Sequence, residues 1–161
     1  MSMKAATVQE IKQELVNLPQ SKVTELCLRL ARFKKENKEL LTYLLFEADD
    51  TALYIKHVNE EVDELFEEIN KSNVYFVKKT LRKIARTAAK YIRYSSSETV
   101  EAEVLIHLCT KIKDLGISIN SNTIINNIYK AQLKKINKAI ASMHEDLQYD
   151  YVKAVKKLEA N

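Results

Sequence analysis

The chain's 161 residues include one glycine, Gly116, and one proline, Pro19. Glycine supplies the positive φ of tight hairpins, Rossmann turns and phosphate-cradling loops, so enzymes built on those constructions are excluded. The composition is 46% apolar and 30% charged with a formal charge of +4. That balance belongs to a folded chain, and its mild net charge means any anionic partner must be argued from where the charges lie.

The expected fold is all-α, with six or seven antiparallel helices and a long C-terminal helix in a single domain over residues 1–161. Either a bundle or a short HEAT-like right-handed stack satisfies that pattern. The leading stretch MSMKAATVQEIKQEL has no apolar region of the secretory kind, so a cytoplasmic location is expected. The first helix opens at Thr7, with Glu10 completing a capping box and Val8, Ile11 and Leu15 turned inward. It ends at Leu18-Pro19-Gln20. The second, from Ser21 to Lys35, points Val23, Leu26, Cys27, Leu30 and Ala31 inward and Arg29, Arg32 and Lys35 outward.

The third helix follows Asn37, and its segment LLTYLLF (residues 40–46) is apolar nearly all round. It is far shorter than the roughly 20 residues of a membrane span, and it is expected at the centre of the domain. The stretch Leu18 to Phe46, LPQSKVTELCLRLARFKKENKELLTYLLF, resembles the opening of uncharacterised bacterial all-helical proteins grouped as a domain of unknown function. Those proteins share a short leading helix, a leucine-rich helix and an N-K-E-L-L-type helix. The resemblance implies a small cytoplasmic helical protein and no activity.

Asp49 or Asp50 caps a fourth helix that carries Tyr54, Ile55, Val58, Val62, Leu65, Phe66 and Ile69. The connector Asn70-Lys71-Ser72-Asn73 leads to a fifth, Val74 to Tyr94. Ser95-Ser96-Ser97-Glu98 opens a sixth, which runs to Leu115 and stops at Gly116. Ile117-Ser118-Ile119 is the one candidate extended piece. From Asn122 to Leu158 a narrow stripe of Tyr129, Leu133, Ile136, Ile140, Met143, Leu147, Tyr151, Ala154 and Leu158 follows coiled-coil steps with one stutter. Either one long helix or two, broken near Glu145-Asp146, carries it. Cys27 and Cys109, each among leucines at helical spacing, are expected to be reduced, inert core residues.

The strongest pattern is a charge division. Between Asp49 and Ile69 stand eight acids (Asp49, Asp50, Glu60, Glu61, Asp63, Glu64, Glu67 and Glu68) against Lys56. Between Asn70 and Tyr94 stand eight bases and no acid. Lys79, Arg82, Lys83, Arg86, Lys90 and Arg93 share about 100° of helical arc, opposite the apolar residues, with Tyr75 on the basic arc. One reading is a solvated face partly neutralised by its acidic neighbour; the other is a surface for an acidic protein or a nucleic acid. If the two apolar arcs pack together, the charged arcs meet only at their flanks.

His57 with Glu61, Glu60 and Glu64, and Glu103 with His107, have i, i+4 spacing open to a metal. Neither HExxH nor Glu-x-x-His occurs, and His144-Glu145-Asp146 reads as a polar bend, so no metal site is expected. Cysteines without an activating neighbour and the absence of GxSxG leave no nucleophilic set. The fifth helix opens Val74-Tyr75-Phe76-Val77, too apolar a tip for a base-reading recognition helix.

The expected function is a protein-interaction scaffold with no catalysis and no cofactor. A protein partner is expected, and a homodimer through Tyr129, Leu133, Ile136, Ile140, Met143 and Leu147 is one form it takes. The alternative is sequence-nonspecific nucleic-acid binding through the basic face of helix 74–94. No membrane association is expected.

Overall fold

Side chains at the helix starts fix where most of the helices begin. Thr7 Oγ1 accepts from the Glu10 amide at 3.3 Å while Glu10 Oε2 accepts from the Thr7 amide at 2.7 Å. Those bonds, the backbone one first, hold the Glu10 carboxyl below its usual range. Asp50, Asn73, Ser97 and Asn122 cap later helices in the same way, each accepting from amides two or three residues on.

The computed structural model describes residues 3–160, and these form eight α-helices with no strand among them. They are α1 (Val8–Val16), α2 (Gln20–Phe33), α3 (Lys35–Thr42), α4 (Thr51–Glu67), α5 (Val74–Ser95), α6 (Glu98–Asp114), α7 (Thr123–Ala141) and α8 (Glu145–Glu159). A π turn, Tyr43–Glu47, follows α3. Of the candidate extended piece Ile117-Ser118-Ile119, Ser118 is extended but Ile119 opens a 3-10 turn, Ile119–Ser121, and no strand forms there. The fold is all-α, with one helix more than expected because the last segment is divided. By packing, the chain separates into two compact units, one up to Leu45 and one from Phe46 onward.

In the first unit α2 lies against α3, and Asn37 Nδ2 donates to the Leu30 carbonyl at 2.8 Å across the pair. Cys27, Leu30, Ala31, Leu40, Leu41 and Leu44 line a shallow groove there. None of α1, α2 or α3 has a buried residue. The expectation that LLTYLLF forms the centre is therefore corrected: Leu44 is 55% exposed and Phe46 79%. An apolar ring becomes central only when packed from several sides, and α2 is the principal cover of α3. Cys27 is exposed too, so the expectation of a core thiol fails there and holds for the buried Cys109.

In the second unit the centre is α6, which packs against α4, α5, α7 and α8. It buries Val100, Ala102, Val104, Leu105, Leu108, Cys109 and Ile112. Val77, Leu81 and Ile84 from α5, Val62 from α4, and Ile125 and Ile136 from α7 join them as the largest fully buried side chains. Polar side chains of α6 tie it to its neighbours. His107 Nε2 meets Asp63 Oδ1 on α4 at 2.7 Å, and Tyr151 on α8 donates to Glu103 at 2.9 Å. Lys113 donates to the Lys157 carbonyl at 2.8 Å and to that of Ala160, satisfying two acceptors at the end of α8. Tyr54 at the start of α4 donates to the Tyr91 carbonyl near the end of α5 at 2.8 Å, and Tyr129 on α7 donates to the Leu158 carbonyl at 2.7 Å. The last two bonds set α5 antiparallel to α4 and α8 antiparallel to α7, whereas the contacts of Glu103 and Lys113 with α8 set α8 parallel to α6.

The C-terminal stripe folds back on itself. The break falls at Ser142–His144, where His144 begins α8 and Gln148 Nε2 donates to the Met143 carbonyl at 2.8 Å. Tyr129, Ile136 and Ile140 are buried in their own chain, and Leu133 and Met143 are half-buried. The homodimer seam expected along Tyr129, Leu133, Ile136, Ile140, Met143 and Leu147 is corrected accordingly; only Leu147, 48% exposed, stays open. Its apolar period serves intramolecular packing.

Candidate anion-binding face on α5 and α7

Helix α5 is two-sided because its apolar residues recur at helical spacing. Val77, Leu81, Ile84, Ala88 and Ile92 are buried, while Lys79, Arg82, Lys83, Arg86 and Arg93 are exposed. Lys90 is half-buried, its Nζ 4.7 Å from the centre of the Tyr91 ring. All six residues of the expected basic face thus point away from the core.

The flanks of this face differ. On the α4 side Lys83 Nζ lies 3.2 Å from Glu68 Oε2, with both side chains more than half exposed. Such a contact is worth tenths of a kcal/mol and neutralises little. On the other side α5 packs against α7, whose Lys130, Lys134, Lys135 and Lys138 are exposed and which contains no acid. Two adjoining helices, seven bases on one and four on the other, thus carry no carboxylate of their own.

Between them lies a groove of 420 Å³ lined by Arg86, Ala89, Ile92 and Arg93 from α5, Glu101 and Leu105 from α6, and Lys135 from α7. Ala89, Ile92 and Leu105 give it an apolar floor, and Glu101 is the acid in its lining. Among the described residues, Arg86, Arg93 and Lys135 make no ion pair. Sequence reasoning missed Lys135. The absence of acids from 123 to 141 was legible, but which helix α7 faces is a tertiary fact.

The candidate metal pairs separate. His57 Nδ1 lies 3.6 Å from Glu47 rather than on Glu61, and His107 pairs with Asp63 rather than Glu103. His144 lies 3.4 Å from Asp146 on an exposed surface. No three His, Cys, Asp or Glu side chains among the described residues are gathered as a metal site would need. Partial burial favours the neutral Asp63 carboxyl, but hydrogen bonds from His107 and Lys111 outweigh it and hold the group below its usual range. Burial pushes the Cys109 thiol up to about 12, against the pull of Lys113, so this sulfur stays protonated.

No family model, curated protein or solved structure matches this chain. Nor is any helix among the described residues long and apolar enough to cross a membrane.

Proposed function

We propose that this chain is a non-catalytic binding protein whose α5–α7 face receives an extended polyanion. One observation carries the reading: two acid-free helices pack side by side and their cations flank an open groove. Like charges held together in the absence of a ligand repel one another, and a partner with regularly spaced negative charge relieves that repulsion. The test is retention on a heparin column. Arg86→Glu with Lys135→Glu should elute at much lower salt than the parent. Lys12→Glu with Lys22→Glu, the same charge change placed on α1 and α2, should elute close to it. Equal loss in both variants would reduce the effect to net charge and defeat the reading.

A different observation favours a protein-interaction role for the first unit. Leu30, Phe33 and Leu44 are each more than half exposed beside the α2–α3 groove, and exposed apolar clusters of this kind mark docking surfaces. The occupant we propose is an amphipathic helix of a partner protein, laid along that groove. Crosslinking from Cys27, which lines the groove, reads it out: a partner captured equally well by a reactive group moved to α8, in a Cys27→Ser, Lys153→Cys variant, would refute it.

A further inference from the structure

We infer that the polyanion is single-stranded nucleic acid, its backbone following the basic track of α5 and its bases using an aromatic platform at the start of that helix; this rests on the polyanion reading above. At 100° per residue Tyr75, Arg82, Arg86 and Arg93 fall within about 40° of one another, a straight line along the helix. From Tyr75 to Arg93 the line is about 27 Å long at 1.5 Å per residue.

Tyr75 is 61% exposed and Phe76 44%. Their rings meet edge to face, with centroids 5.6 Å apart and planes at 75°. That contact orients the Tyr75 ring without covering both of its faces. A polar rim with two outward aromatic rings is costly to leave in water, and a base supplies the flat apolar surface that fits it.

The groove repeats the same combination further along. Arg86 and Arg93 stand on one wall and Lys135 on the other, above the floor of Ala89, Ile92 and Leu105. Phosphate suits the cations and a base suits the floor, while the Glu101 carboxylate is an acceptor for a base N–H group. In a duplex the bases are paired and stacked inside, so neither the ring nor the floor is used. An acidic polypeptide satisfies the cations and likewise leaves the rings idle. Guanidinium groups, three of which lie on the Tyr75 line, both pair with phosphate and stack on bases.

The experiment is fluorescence anisotropy of the full chain with three probes: labelled oligothymidylate, a DNA hairpin duplex and poly-L-glutamate. The oligothymidylate should bind most tightly. If Lys79, Arg82, Arg86, Arg93 and Lys135 each meet a phosphate, its log affinity should fall against log salt with a slope of roughly −3.5. Tyr75→Ala should weaken oligothymidylate by about 5- to 150-fold and leave poly-L-glutamate unchanged. Tyr75→Phe should bind as the parent does. Tighter binding of duplex or poly-L-glutamate, or a Tyr75→Ala variant that holds oligothymidylate as the parent does, overturns the inference while the polyanion reading stands. Failure of all three probes at low salt overturns both. Tyr75 is exposed, so the variant keeps its fold, which unchanged helical circular dichroism verifies.

Discussion

Tyr151 of α8 donates its phenolic hydrogen to Glu103 of α6 at 2.9 Å, so a buried-side carboxylate and a phenol fix the last helix on the central one. Removing the hydroxyl as Tyr151→Phe leaves Glu103 without that donor. Hydrogen bonds to charged groups are worth about 1.5–3 kcal/mol, and partial exposure places this one near the lower end. Urea denaturation should show a loss of about 1–2 kcal/mol; a parent-like midpoint would mean that water replaces the phenol at no cost.

The same pair predicts alkaline instability. Burial first, then the Glu103 hydrogen bond and charge, pushes the Tyr151 phenol up to about 12, and burial does the same for Tyr129. A folded-state value above the unfolded one, about 10, gives stabilisation that is complete below that pH and lost as pH rises toward 12. The denaturation midpoint should therefore fall between about pH 10 and 12. Tyr151→Phe should flatten part of that fall, and an unaltered profile would assign it to other groups.

Leu108 and Leu44 provide a test of where the core lies. Leu108 is fully buried on α6 and Leu44 is 55% exposed. Leu108→Ala should cost about 2–5 kcal/mol through lost transfer energy and a cavity, whereas Leu44→Ala should stay within about 0.5 kcal/mol. Comparable losses at both positions, measured by denaturant titration, would put LLTYLLF back in a packed interior.

The two thiols should differ in reactivity. Cys27 is exposed and Cys109 is buried with its thiol pushed up to about 12. A disulfide reagent at neutral pH should modify one thiol rapidly and the second only as the protein unfolds. Fast modification of both, with the fold intact, would contradict the burial of Cys109.

Gly116 ends α6 at φ 68°, with open space where a Cβ would lie. Gly116→Ala should therefore cost only backbone strain, about 1–2 kcal/mol. Gly116→Asn should cost less, since asparagine tolerates this conformation better. Thermal melts that rank Ala above Asn would show that the turn relaxes away from the left-handed region.

What the sequence determined was local. Glycine scarcity excluded sheet and loop architectures, and Thr7, Asp50, Ser97 and Gly116 marked helix ends through bonds that span only a few residues. The separation of basic from apolar residues on α5 was equally legible, because helical geometry alone assigns each side chain to an arc. Which apolar helix becomes the centre was a tertiary decision. LLTYLLF and α6 are both apolar on several sides, yet only α6 is enclosed by four neighbours. The C-terminal stripe, periodic enough for a partner chain, closes on its own molecule because the break at Ser142–His144 lets α8 fold back along α6 and α7. Lys135 joined the basic face for the same reason. A contact between residues far apart in the chain depends on how the helices pack, and periodicity within one helix carries no information about its neighbour.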